Sequence, residues 1–295
     1  MAKAQKSSGE QVKAASPLKA LFPVLAVAAC FLLAFAVFYL FFGSPANFEE
    51  GEARAQAYQA WVDGGQVGEE PESPTMGHPK NFFGVVYKGG FVIPFGIGLM
   101  LTMLAFTIER AITIFRASGK GNIDVFVKKV RRMLANGEID NAAKACDAQQ
   151  GSVGNVIKAG LRKYREMVDH TGMEKEAKKA AIQAELEEAT MLELPMLERN
   201  LPILATTASL GTLVGLIGTV IGMIKAFLAL GAGGAPNAAE LSVGISEALV
   251  NTAIGITTTA FSILFYNFFT TKIDGMTYAM DEAGYSIVQT FDVRN

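Results

Sequence analysis

The sequence predicts an all-α polytopic membrane protein, and three observations carry that prediction. Of the 295 residues, 51% are apolar and only 18% charged, and the apolar ones gather in runs of helix-spanning length instead of spreading at soluble periodicity. Two of these runs, between Leu201 and Asn267, are seamed with Gly, Thr and Ser, as membrane helices are when they face other helices. The later of the two carries a lone carboxylate, Glu247. A charge well inside a bilayer costs about 2.5–3.5 kcal/mol on insertion scales, so an acid retained there points to function.

The elements follow in order. Residues 21–42 form the first span, nearly uncharged and long enough at 1.5 Å per residue to cross about 30 Å of hydrocarbon. Ser44-Pro45-Ala46 resembles a small-residue cleavage site, and Val27-Ala28-Ala29-Cys30 loosely resembles an acylation site. The run is longer than a typical signal core, and more than ten apolar residues follow Cys30, so the plain reading is an uncleaved anchor helix. Residues 43–88 are acidic, with a short surface helix near Trp61 followed by an irregular linker marked by Pro71, Pro74 and Pro79. The second span, 89–115, is apolar up to the pair Glu109-Arg110.

Residues 116–200 read as a soluble helical domain, with helices near 123–135 and 140–146 and breaks at Asn136-Gly137 and at 149–151. A Lys/Ala/Glu-rich helix over 173–193 is expected to run on into the third span, kinked and not ended by Pro195 and Pro202. The third span covers 201–230, a short loop 231–242, the fourth span 243–270 and a tail 271–295.

Loop charge sets the orientation. Lys3, Lys6, Lys13 and Lys19 precede the first span, whereas Glu49, Glu50, Glu52, Asp63, Glu69, Glu70 and Glu72 outweigh Arg54 and Lys80 after it. The 116–200 segment is again basic, at Arg116, Lys128, Lys129, Arg131 and Arg132 and near 158–165. By the positive-inside rule, residues 1–20, 116–200 and 271–295 are cytoplasmic, and 43–88 and 231–242 external.

Other chemistries find little support. Cys30 lies in an apolar run and Cys146 in a polar helix, so no disulfide is expected. His78 and His170 read as solvated loop residues, and the interspersed acids and bases as a solvated helical surface with no nucleic-acid role. Without a paired acid, metal cluster, nucleophile triad or phosphate loop, the chain is not expected to be an enzyme.

The last two spans can be read by face. Thr212, Gly215, Thr219 and Gly222 recur at intervals of three and four, and Gly211/Gly215 and Gly218/Gly222 are small-xxx-small pairs. The stripe is a packing seam, an ion path or both, since threonine hydroxyls can also bond back to their own backbone. In the fourth span Glu247, Asn251, Thr258 and Ser262 share one broad face, flanked by Thr252 and Thr259, with Gly244, Ala248 and Gly255 as a small-residue edge. Glu247 sits near the expected boundary, where it could snorkel, as Lys225 is expected to do.

The segments Gly215-Leu216-Ile217-Gly218-Thr219-Val220-Ile221-Gly222-Met223 and Ile245-Ser246-Glu247-Ala248-Leu249-Val250-Asn251-Thr252-Ala253-Ile254-Gly255 resemble the ExbB/TolQ/MotA family, most nearly ExbB. The resemblance covers about residues 82 to 270; residues 1–80 fall outside it and depart from the family's three-span pattern. It implies long helices in a homo-oligomeric, pentameric ring in the bacterial inner membrane, here with an extra N-terminal transmembrane helix. It further implies a proton-motive-force motor with no cofactor beyond protons as coupling ion. The ring would surround an ExbD/TolR-like single-span partner bearing a membrane aspartate and drive a TonB-like protein. Matched motif to motif, Thr219, Glu247 and Thr252 would face the pore, joined on the same faces by Asn251, Thr212 and Thr259, while Gly211, Gly215, Gly218, Gly222 and Gly255 pack the helices. Asn251 stands where small residues are common in ExbB and TolQ. A TolQ-like envelope role, a flagellar stator and a non-conducting membrane scaffold are the competing readings.

Overall fold

The structure, a computed structural model, describes residues 17–64, 66, 69–231 and 238–294; the basic residues Lys3, Lys6 and Lys13 and half of the 231–242 loop lie outside them. Among the described residues every element is helical, and four helices are long and apolar enough to cross a membrane. The chain divides into two compact units, Met1–Thr102 with Val220–Val250, and Met103–Thr219 with Asn251–Asn295.

In the first unit, α1 (Pro17–Ala36) presents Leu21, Phe22, Val24, Leu25, Leu32 and Leu33 outward, as a lipid-facing helix does. Its other side carries aromatics: Phe31 and Phe35 meet Phe95 of α4 (Ile93–Ala117) at ring-centroid distances of 6.4 and 5.3 Å. Phe31 lies so near Gly98 that an added Cβ there would stand 2.7 Å from its ring, so glycine permits the approach. After α1 the helix widens into a π turn, Val37–Phe42. Asn47 donates to the carbonyls of Phe41 and Phe42 at 2.7 and 3.0 Å, satisfying acceptors that the π turn leaves open. Its own carbonyl accepts from Asn81 at 2.9 Å, and Asn81 caps α3 (Phe82–Lys88) by accepting from the Gly84 amide.

The helix expected near Trp61 is α2 (Gly51–Asp63). The segment after it is less irregular than the prolines suggest. The Glu49 amide donates to His78 at 2.9 Å, the Lys80 amide donates to Asn47 at 2.8 Å, and Phe48 and Pro79 form an antiparallel bridge, so the loop closes on its own base.

In the second unit, Asn122 caps α5 (Ile123–Asn136) by accepting from the amides of Asp124 and Val125, and Gly137 ends it at φ +81°. α6 (Ile139–Gln149) and α7 (Gly151–Asp169) meet at a single-residue corner, Gln150. α7 is not among the helices expected from the sequence; it buries Val153, Val156, Ile157, Leu161 and Tyr164 at helical spacing.

Two expectations need correction here. The rod through Pro195 and Pro202 is broken: α8 (Lys175–Glu198) and α9 (Leu201–Gly231) are separated by Arg199 and Asn200, with Asn200 at φ +65°. Pro202 falls in the first turn of α9, where its missing N–H costs nothing. Asparagine tolerates the left-handed corner better than most residues. Arg110, 1% exposed, secures this turn: its Nη1 donates to the Leu197 carbonyl at 3.3 Å while its Nε donates to Glu109 at 2.6 Å. Glu109 in turn accepts from Asn200 at 3.4 Å.

The second correction concerns the tail after residue 270. It is not a separate segment, since α10 runs unbroken over Ala238–Arg294. Phe269, Ile273, Met276, Met280, Ala283, Ile287 and Phe291 form its buried stripe, at steps of three and four. Phe291 stands edge-on to Tyr164 of α7 at 5.2 Å.

Candidate functional site

Within each unit, α9 and α10 pack antiparallel through small residues. In the second unit a Cβ added at Gly255 would lie 2.5 Å from the Gly211 carbonyl oxygen and 2.8 Å from the Gly215 Cα, and one at Gly215 would lie 3.3 Å from the Asn251 carbonyl oxygen. Gly218 leaves the space that the Asn251 side chain fills. In the first unit a Cβ at Gly222 would lie 2.7 Å from the Ala248 amide nitrogen, and one at Gly244 would lie 2.7 Å from that of Ala226. All five glycines singled out from the sequence are therefore seam residues whose hydrogen lets two backbones touch.

Hydroxyls border this seam. Thr259 donates to the Ala208 carbonyl at 2.7 Å, which commits its only proton, so in the 2.9 Å Thr212–Thr259 contact Thr212 is the donor. By the same reasoning Thr207 donates to Leu204 at 2.9 Å and accepts from Ser262 at 3.2 Å. Thr219 donates to its own helix, to Leu216 at 2.6 Å, and Thr258 to Ile254 at 2.9 Å. Thr219 and Thr252 lie seven residues, two helical turns, from Thr212 and Thr259 respectively, so each shares a face with a member of the bonded pair. Thr219, Thr252 and Thr259 are half-buried and Thr212 is exposed, whereas Asn251, Thr258 and Ser262 are buried.

Glu247, 2% exposed, belongs to the first unit. It is no lone carboxylate. Lys225 of α9 donates to both of its oxygens, each at 2.8 Å. The Lys225 side chain is 48% exposed, so it keeps contact with the surroundings, but its ammonium is turned to the acid where snorkelling alone was expected. Gly90, in the turn before α4 at φ +79°, stands directly against the carboxylate, and a side chain there would collide with it. The pairing of Lys225 with Glu247, and the parts of Gly90 and Thr207, are not visible on single-helix faces. The signal lay in the antiparallel register: aligning Gly222 with Ala248 and Ala226 with Gly244 sets Lys225 beside Glu247.

The arrangement offers neutral donors and acceptors along an apolar hairpin and one balanced ion pair. Among the described residues no group of three His, Cys, Asp or Glu gathers that could hold a metal.

Comparison with known proteins agrees with these features. Residues 148–282 match the model of the MotA/TolQ/ExbB proton channel family. The chain is 27% identical over 179 residues to the Tol-Pal system protein TolQ of Pseudomonas aeruginosa, covering 59% of this chain and 78% of that protein. It is 41% identical over 86 residues to a biopolymer transport protein named ExbB-like 3 of Synechocystis, a match that covers 28% of this chain and 41% of that protein.

Proposed function

Because this chain belongs, through residues 148–282, to the MotA/TolQ/ExbB proton channel family, we propose that it is an ExbB-like motor subunit of the bacterial inner membrane. It is a multi-pass membrane protein. In this reading both termini are cytoplasmic and five copies form a ring around an ExbD/TolR-like single-span protein with a membrane aspartate. The ring uses the proton motive force to drive a TonB-like protein and so energise outer-membrane transport.

The observation that carries the proposal is the hydroxyl border of the α9/α10 seam. Thr212 and Thr259 are already hydrogen-bonded across it, and Thr219 and Thr252 repeat their faces two turns on. Hydroxyls both donate and accept, so such a border serves a protonated aspartic acid and its carboxylate alike. The partner's aspartate takes a proton from outside, becomes neutral, crosses the apolar wall at lower cost, meets the Thr219/Thr252 band and releases the proton inward. One charge crossing 100 mV supplies about 2.3 kcal/mol, comparable to one or two hydrogen bonds. Asn251, buried beside Gly218, adds an amide behind this border. The coupling ion is the proton, and no other cofactor is required.

The test is uptake of an iron chelate driven by the proton motive force in cells carrying Thr252→Ala, with membrane level and ring assembly measured alongside. Loss of uptake with an intact ring places the hydroxyl in the coupling path. Normal uptake sinks the assignment and favours a non-conducting scaffold.

A TolQ-like role in envelope maintenance is the second reading, favoured by the longer match to the Pseudomonas protein. Gene deletion separates the two: detergent sensitivity with normal chelate uptake supports the TolQ-like role, and the reverse pattern the ExbB-like one.

A further inference from the structure

Lys225 has no place in the hydroxyl border, yet its ammonium holds both oxygens of a carboxylate that is 2% exposed. Three elements of the first unit converge there: α9 supplies Lys225, α10 supplies Glu247, and the turn before α4 supplies Gly90. Gly90 adopts a left-handed φ that disfavours side chains, and the space a side chain would need is taken by the carboxylate. Ala226 and Ala248, the chain neighbours of the pair, are buried in the same seam. The carboxylate is therefore held between its own helix, the Lys225 ammonium and the Gly90 backbone.

We infer that Lys225 is a positioning residue, which holds the Glu247 carboxylate in the interior of the first unit as half of a neutral ion pair, so that Glu247 acts through its place and the coupling proton travels elsewhere. The inference rests on the reading of α9 and α10 as an ion path, and it changes what that path contains. Its loop-end acid is balanced, so the pair leaves no net negative charge there to concentrate cations. The path then depends on the hydroxyl border and on the partner's own carboxylate.

The pair predicts an asymmetric double-mutant cycle in the purified full-length protein. Lys225→Met strands a buried charge and should lower Tm by about 5–10 °C. Glu247→Gln should cost less, because the half-exposed Lys225 can turn outward. The double variant Lys225→Met/Glu247→Gln should recover most of the loss caused by Lys225→Met, and Lys225→Arg should retain near-native stability. Position is read separately with dicyclohexylcarbodiimide, an apolar carboxyl reagent. Mass spectrometry should find Glu247 protected in the wild type and in Lys225→Arg and modified several-fold more in Lys225→Met. A Lys225→Met protein as stable as the wild type, a double variant weaker than Lys225→Met alone, or equal Glu247 modification in wild type and Lys225→Met would each overturn the inference. Melting and labelling report on the pair whatever Thr252→Ala does to uptake, so the two readings can fail independently.

Discussion

The two halves of α10 pack by opposite means. Over the fourth span its closest approaches to α9 are at Gly244, Ala248 and Gly255, where backbones touch. Beyond the span, the same helix buries Ile273, Met276, Met280, Ile287 and Phe291. The contrast follows from the surroundings. Lipid is as apolar as leucine, so burying a large side chain in a span gains little, and association comes from close approach and hydrogen bonds. In water the large side chains supply the driving force at about 25 cal/mol per Å². One unbroken helix carries both designs, and each has its own point of failure.

The most damaging single change should therefore be an enlargement in the span. Gly255→Leu forces a side chain into the 2.5 Å gap to the Gly211 carbonyl oxygen, and its cost should be at least about 3 kcal/mol. Membrane yield and size-exclusion elution should show little folded protein; a normal profile would mean that the hairpin does not pack as described. In the half beyond the span the damaging change is a truncation. Phe291→Ala removes the ring facing Tyr164 and should destabilise by about 3–5 kcal/mol, whereas Leu216→Ala, on the outward face of the span, should shift Tm within error. Equal losses from the two would erase the contrast.

Smaller effects test the hydroxyls. Thr259→Val removes the donor to Ala208 and the acceptor for Thr212, whereas Thr212→Val removes only one donor. Expected losses are about 1–3 and about 0.5–1.5 kcal/mol in that order, read as thermal midpoints in micelles. Reversal of the order would reassign the proton between the two oxygens.

The smallest effect lies at the far end of α10. Lys179 and Lys175 beside Asp292 hold its carboxyl below the ordinary 3.8, and Asp292 and Glu176 raise Lys179 above 10.5. Stability from the lowered acid is fully present above its ordinary value and is lost as pH falls through the lowered one; that from the raised lysine is fully present below 10.5 and is lost as pH rises through the raised value. The pair's contribution should be flat from about pH 5 to 9 and fade below about 4. The pair lies at the surface, where solvent screens it, so Asp292→Asn should alter Tm slightly at pH 7 and even less at pH 3.

Much of this was legible in the sequence where one helix decides its own pattern. The four apolar runs, the glycine stripe of the third span, the polar face of the fourth and the break at Gly137 all depend on period and local backbone chemistry. Features that depend on two elements were harder to see. Lys225 read as a snorkelling residue because its partner lies 22 positions away across a hairpin. The stripe from Phe269 to Phe291 was present at steps of three and four, but it was divided between a span and a supposed tail, so its continuity was lost. Asn200 was overshadowed by two prolines, although a left-handed corner needs no proline, and the Arg110 guanidinium that secures it comes from another helix.

The Lys225–Glu247 pair also bears on how the protein enters the membrane in the first place. During synthesis Lys225 emerges 22 residues ahead of Glu247, and a third span delivered alone would leave an ammonium seeking water near its end. The fourth span alone would carry an acid against a penalty of about 2.5–3.5 kcal/mol. Entered together as a closed hairpin, the two helices would cancel each other's charge before either faces lipid, so insertion as a pair costs less than insertion one at a time.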